Sequence, residues 1–155
     1  MDPQNRPSPL VEQDAKVNDV VVRLSYSSPS VRERKIFGYG ESYLEPYGEL
    51  WRTGANKATA IYFDKDAQID YLQIDSGTYS IFTIPREDIW TVIVNKDWDQ
   101  WGSYNYDESK DVLRLEVPTS NLKTLQEKMK LFVRNDSLKF EWEFTSWGVP
   151  ITNLP

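Results

Sequence analysis

Cysteine and histidine are both missing from this 155-residue chain. Without thiols there is no disulfide, no cysteine nucleophile and no thiolate zinc site. Without imidazole there is no histidine base and no serine–histidine triad. Any chemistry falls to Asp, Glu, Lys, Tyr, Ser, Thr or Arg. A basic surplus is missing too: 18 Lys and Arg stand against 24 Asp and Glu, a formal charge of −6. That balance argues against a nucleic-acid partner, which needs a basic stripe, and against adsorption to anionic membranes. No apolar run approaches the ~18 residues of a membrane-spanning helix. No signal peptide is visible at the start. The opening "MDPQNRPSPL" reads as an extended arm over residues 1–9, or equally as the trimmed start of a secreted chain with an added Met. Residues 10–155 read as one β-domain with no linker or internal repeat.

Aromatic side chains are plentiful, at 14% of the chain, with six Trp and nine Tyr. They suit strands, sheet cores and stacking surfaces. The apolar pattern has period two almost throughout. "DVVVRLSYS" (19–27) places Val20, Val22, Leu24 and Tyr26 on one face, and "VLRLEV" (112–117) does the same with Leu113, Leu115 and Val117. "TYSIFTI" (78–84) and "IWTVIVN" (89–95) are apolar on both faces and are joined by a short polar link, so they read as a central antiparallel hairpin. "KMKLFVRNDSLKFEWEF" (128–144) folds about Asn135-Asp136, a two-residue turn of type I′ character. That turn sets Val133 against Leu138, Leu131 against Phe140 and Met129 against Trp142, with Lys130 facing Glu141 and Lys128 facing Glu143. Leu122 and Leu125, three apart, make Ser120–Lys128 the one helix candidate. The expectation is an all-β fold, an antiparallel β-sandwich or jelly-roll-like barrel of about 8–10 strands.

Four groups of residues carry possible chemistry. The first lies in and before "LWRTGANKATAIYF" (50–63): Arg34, Lys35, Tyr47, Trp51, Arg52, Asn56 and Lys57. Arg forks and Asn amides grip carboxylates, phosphates or sugar hydroxyls. The alternative is a well-made corner in which Gly54 permits the turn, Trp51 anchors it, and Arg52 and Asn56 satisfy the protein's own backbone. The second lies in 95–111, where Trp98, Trp101, Tyr104 and Tyr106 alternate with Asp97, Asp99, Asp107 and Asp111. Ring faces beside carboxylates suit sugar binding. The alternative is a loop folded back over the sheet. The stretch lacks the spacing of a calcium loop, so no metal ligand is assigned, and no cofactor is expected. The third is a catalytic carboxylate pair, which chance alone would supply among so many acidic residues. The fourth, Asp64, Asp66 and Asp70, reads as turn residues.

The segments "YSSPSVRERKIFG", "LEPYGELWRTGANKATAIYF", "GTYSIFTIP", "WTVIVNK" and "WGSYNYDESKDVLR", in that order, resemble the bacterial DUF2911 family, a domain of unknown function common in Bacteroidetes. The resemblance runs from about residue 6 to residue 151, with Trp51, Arg52, Thr53, Gly54, Ala55 and Asn56 as the signature. It implies a secreted, periplasmic or lipid-anchored β-domain, and it carries over no catalytic residue. The chain departs from the family at Ser28 and Glu33, which implies a weaker basic site near Arg34. Three readings follow: a non-enzymatic binding module for a polar or anionic ligand or glycan, a carboxylate-dependent glycoside hydrolase, or a structural or protein-interaction domain. The partner expected is a polar or carbohydrate ligand, with no nucleic acid; the oligomeric state is left open.

Overall fold

A computed structural model describes residues 6–155, so the first five residues of the expected arm lie outside the described residues. The strands are β1 (Leu10–Val17), β2 (Val20–Ser27), β3 (Phe37–Gly38), β4 (Glu45–Pro46), β5 (Ala55–Phe63), β6 (Ala67–Ile69), β7 (Leu72–Ile74), β8 (Gly77–Ile84), β9 (Ile89–Asn95), β10 (Asp111–Pro118), β11 (Ser120–Arg134) and β12 (Ser137–Asn153). Six form an antiparallel sheet in the order β1-β2-β5-β8-β9-β10, and four form a second sheet, β11-β12-β6-β7. A small parallel pair, β3-β4, lies outside both. Neither sheet closes into a barrel, so the fold is an antiparallel sandwich.

Alternation explains which face meets the core. Val20, Val22, Leu24 and Tyr26 of β2 are buried, as are Leu113, Leu115 and Val117 of β10. β8 and β9 pair antiparallel in the middle of their sheet, and both are buried on both faces. The inner face holds the main core, joined by rings from several elements. Phe37, Trp51, Trp90, Phe140, Trp142 and Trp147 meet edge to face or stacked, with Trp51 on Trp142 at 5.8 Å and Phe140 on Trp147 at 5.4 Å. The second buried face of β8 and β9 carries a smaller cluster, Phe82 and Ile93 with Ala58, covered by Tyr106 and Leu50.

Two expectations are corrected in β11. Ser120–Lys128 is strand, not helix, because it pairs with β12 at Ser120↔Ser146, Asn121↔Thr145 and Gln126↔Glu143. The Leu122/Leu125 spacing suited a helix, but a fixed partner strand outweighs so short a local pattern. Leu125 accordingly stays exposed. The hairpin about Asn135-Asp136 forms with Val133↔Leu138, Leu131↔Phe140 and Lys130↔Glu141 in register. The ladder holds neither the Met129–Trp142 nor the Lys128–Glu143 pair. A register shift between Gln126 and Lys130 sets Glu143 opposite Gln126, with Glu143 at a left-handed φ of 57°. At the shift β11 turns to other partners. Val31 N–H donates to Glu127 O and Met129 N–H to Pro29 O, each at 2.9 Å, and the Trp142 indole donates to Glu127 O at 3.0 Å. Between the Gln126–Glu143 and Lys130–Glu141 pairs β11 has two residues more than β12, and such an insertion bends the ladder and frees it to meet a second segment.

Candidate functional site

The outward face of β1, β2 and β5 forms an open trough of about 440 Å³. Register aligns its side chains in rows across the sheet. One row runs Asp14, Arg23, Tyr62, Thr78, and the next runs Glu12, Ser25, Ala60, Ser80. Ser25 and Ala60 are small, so the second row becomes the floor. In the first row the Arg23 guanidinium lies 5.5 Å from the Tyr62 ring centre, and its Nε is 3.3 Å from Asp14 Oδ1.

The opposite wall comes from the loop over residues 96–110. Ser80, buried in β8, donates its hydroxyl to Asp97 O at 3.0 Å. Asn95 Oδ1 accepts from Asp97 N–H at 2.9 Å, while Asn95 Nδ2 donates to Asp107 O and Asp111 Oδ1. The buried Gln100 amide donates to Asp97 O, and Ala58 N–H donates to Gln100 O at 2.8 Å. These bonds fix the loop so that Trp98 stands at the trough, 48% exposed, with Asp99 beside it. Lys57 Nζ meets Asp99 Oδ1 at 2.8 Å and closes that wall. The far end of the loop is clasped by Tyr106, whose hydroxyl lies 2.7 Å from both Asp111 carboxylate oxygens. Burial first, and the bond to Asp111 second, push the Tyr106 phenol up to about 12. Asp107 caps the short turn Glu108–Lys110, and hydrogen bonds from Ser109 hold its carboxyl below the usual range.

The structure separates the residues singled out from the sequence. Lys57 and Trp98 come together at the trough. Trp101 and Tyr104 are exposed on the same loop outside it, and Arg6 lies over the Trp101 ring. Trp51 is buried in the aromatic core and donates its indole N–H to Gly54 O at 3.2 Å. Arg34 bonds the protein's own backbone, through Nε to Val31 O and Nη2 to Ser30 O. Lys35 lies over Tyr43, and Tyr47 packs edge to face on Tyr39. Asn56, at φ 60°, reaches Ser8 O at 3.5 Å and accepts Gly102 N–H at its own carbonyl. Arg52 is half-buried with its Nε unpartnered. Near it, burial pushes the Glu45 carboxyl up to about 7, against the pull of Arg52 and Arg34. The signature is therefore built as a corner. Trp51 exchanges both backbone bonds with Thr83, and the Thr53 and Thr83 hydroxyls meet at 3.0 Å.

Sequence reading missed Glu12, Asp14, Arg23 and Tyr62. Arg23 and Tyr62 do occupy outward positions of alternating strands, but only strand order sets them side by side. Asp64 and Asp66 serve turns, accepting Val21 N–H and Ser76 N–H. Among the described residues no group of three or more acidic side chains is placed to hold a metal ion. No helix among them is long and apolar enough to cross a membrane.

Comparison with curated proteins and with solved structures returns no match. A family model does match, over residues 8–151, which takes in every strand that builds the trough. The chain belongs to the DUF2911 family, proteins of unknown function.

Proposed function

We propose that this protein is a non-enzymatic carbohydrate-binding module that uses the trough on the outer face of β1, β2 and β5. The observation that carries this reading is the pairing of Trp98 with the Arg23-covered Tyr62 across a floor of small side chains. Aromatic faces take the C–H face of a sugar ring, and charged side chains at the rim take its hydroxyls. The volume falls within the ~300–1,000 Å³ of small-ligand sites. Both cations at the rim are already matched, Lys57 with Asp99 and Arg23 with Asp14, and the remaining charge, Glu12, is acidic. That favours a neutral, hydroxyl-rich ligand over a strongly anionic one. The loop is held by internal bonds, so binding orders little chain. Placement in the cell envelope, which the resemblance implies, fits an encounter with glycans.

The hydrolase reading draws less support. A glycosidase needs one carboxyl held protonated near neutrality beside a second one. The two carboxyls raised by burial, Glu45 and Glu143, do not line the trough.

The test is titration of the purified chain with a panel of neutral and acidic oligosaccharides, followed by calorimetry and tryptophan fluorescence. Trp98→Ala and Tyr62→Ala should each weaken the best ligand by about tenfold or more, a loss typical of one stacking ring. Circular dichroism would check that the fold survives. If no panel member binds, or if Trp98→Ala leaves affinity unchanged, the reading fails.

A further inference from the structure

A second groove, of about 510 Å³, opens on the side of the sandwich, where the edge strand of each sheet lies exposed. One wall is β1, through Val11 and Gln13; the other is β11, from Lys128 to Arg134. Lys128, Lys130 and Arg134 line it, and no carboxylate does. In a chain of net charge −6 this is a local reversal of sign. None of the three cations makes an ion pair among the described residues. Lys130 sits opposite Glu141 in register but does not bridge to it.

The backbone of this edge is partly open. Met129 N–H donates away from β12 to Pro29 O, and the Leu131 amide faces the Tyr26 phenol. Odd-numbered residues of β11 therefore turn their backbone groups outward here, as the alternation of an antiparallel pair requires. Val133 is next in that series, and among the described residues no backbone group bonds it from outside its hairpin. An unpaired edge is a template for another strand. The side chains sort by the same alternation. Met129 and Leu131 are buried and Val133 is half-buried, whereas Lys128, Lys130 and Arg134 stand on the exposed face.

We propose that the β11 edge binds an extended acidic peptide segment of another protein, which adds as a strand at its hairpin end, beside Val133. Its apolar side chains point in toward Val133 and Val11, and its carboxylates lie beside Lys130 and Arg134. Strand addition takes affinity from main-chain bonds and specificity from alternate side chains, which matches this arrangement. A second copy pairing antiparallel through the same edge, about Phe132, would set Lys130 against the copy's Arg134, so like charge disfavours it. This surface shares only Tyr26 with the trough, which uses the outer face of β1 rather than its inner one.

The probe is a capped octapeptide alternating Glu and Val, read by fluorescence anisotropy. It should bind, and Lys128→Glu/Lys130→Glu should weaken it by about tenfold or more, since both side chains are exposed and charge pairs set such affinities. Binding should also fall as ionic strength rises from about 0.05 M to about 0.5 M. The same peptide N-methylated at alternate residues keeps its charge but loses its edge bonds, so it should not bind. Absence of peptide binding overturns the proposal. So does equal binding of the N-methylated peptide, or a sulfated polysaccharide that binds this edge where the peptide does not.

Discussion

Gly54 and Glu45 show how much single residues carry in this fold. Gly54 sits at φ 153°, and a Cβ there would lie 3.0 Å from Ser27 O and 3.3 Å from Thr59 Oγ1. Both neighbours are fixed, Ser27 by its strand and the Thr59 hydroxyl by its bond to Thr53 O. Gly54→Ala should therefore destabilise the protein by about 2 kcal/mol, the scale of a strained backbone site, in urea unfolding. Glu45 acts through pH. Burial raises its carboxyl from 4.5 to about 7, so on a rising pH scale it ionises first in the unfolded chain. Below pH 4.5 it is neutral in both states and has no effect. Between 4.5 and about 7 it lowers stability progressively, and above that the deficit is constant. Glu45→Gln should match the parent near about pH 4 and exceed it near about pH 8, by up to a few kcal/mol. Thermal melts at the two values check it; an equal gain at both would contradict the argument.

At the scale of elements, the β11–β12 hairpin is the clearest case. Asn135 and Asp136 both have left-handed φ, 52° and 59°, as a type I′ turn demands. Asp136→Gly should stabilise the protein by a few tenths to about 1 kcal/mol, because glycine takes that region without penalty. The denaturation midpoint reads this directly. The first turn-proximal pairs could be read from the sequence, because turn type and alternation together leave one register. The pairing failed beyond Lys130–Glu141, for a reason no local pattern contains. The segment 29–31 competes for β11 there, and it comes from the far end of the chain. The helix expected at Ser120–Lys128 gave way to another partner outside the local pattern, β12.

At the scale of the whole molecule, the aromatic cluster joins the sheets. Trp90 comes from one sheet, Phe140, Trp142 and Trp147 from the other, and Trp51 and Phe37 from connecting segments. Trp142 is fully buried among them and also bonds Glu127 O. Trp142→Ala should cost about 3–5 kcal/mol, as for other large core truncations. Since the cluster belongs to both sheets, tryptophan fluorescence and far-ultraviolet circular dichroism should trace one coincident urea transition. Separate midpoints would mean that the sheets melt independently. The same architecture leaves one face of β1, β2 and β5 uncovered, while the loop 96–110 covers the neighbouring part of the sheet over Phe82 and Ile93. The trough is the boundary between the covered and uncovered parts.

Local pattern was enough for the strand class, the faces that are buried, the β8–β9 hairpin and the turn-proximal pairs of the β11–β12 hairpin. All of these rest on neighbours a few residues apart, where period-two patterning and turn chemistry act. Only the tertiary structure decided that Trp51 joins the core, that Arg34 serves its own backbone, and that β11 is strand throughout. It also decided that Glu12, Arg23, Lys57, Tyr62 and Trp98 share one trough. Those outcomes depend on strand order and on a long loop folding back, and the distances along the chain are too great for local pattern to encode them.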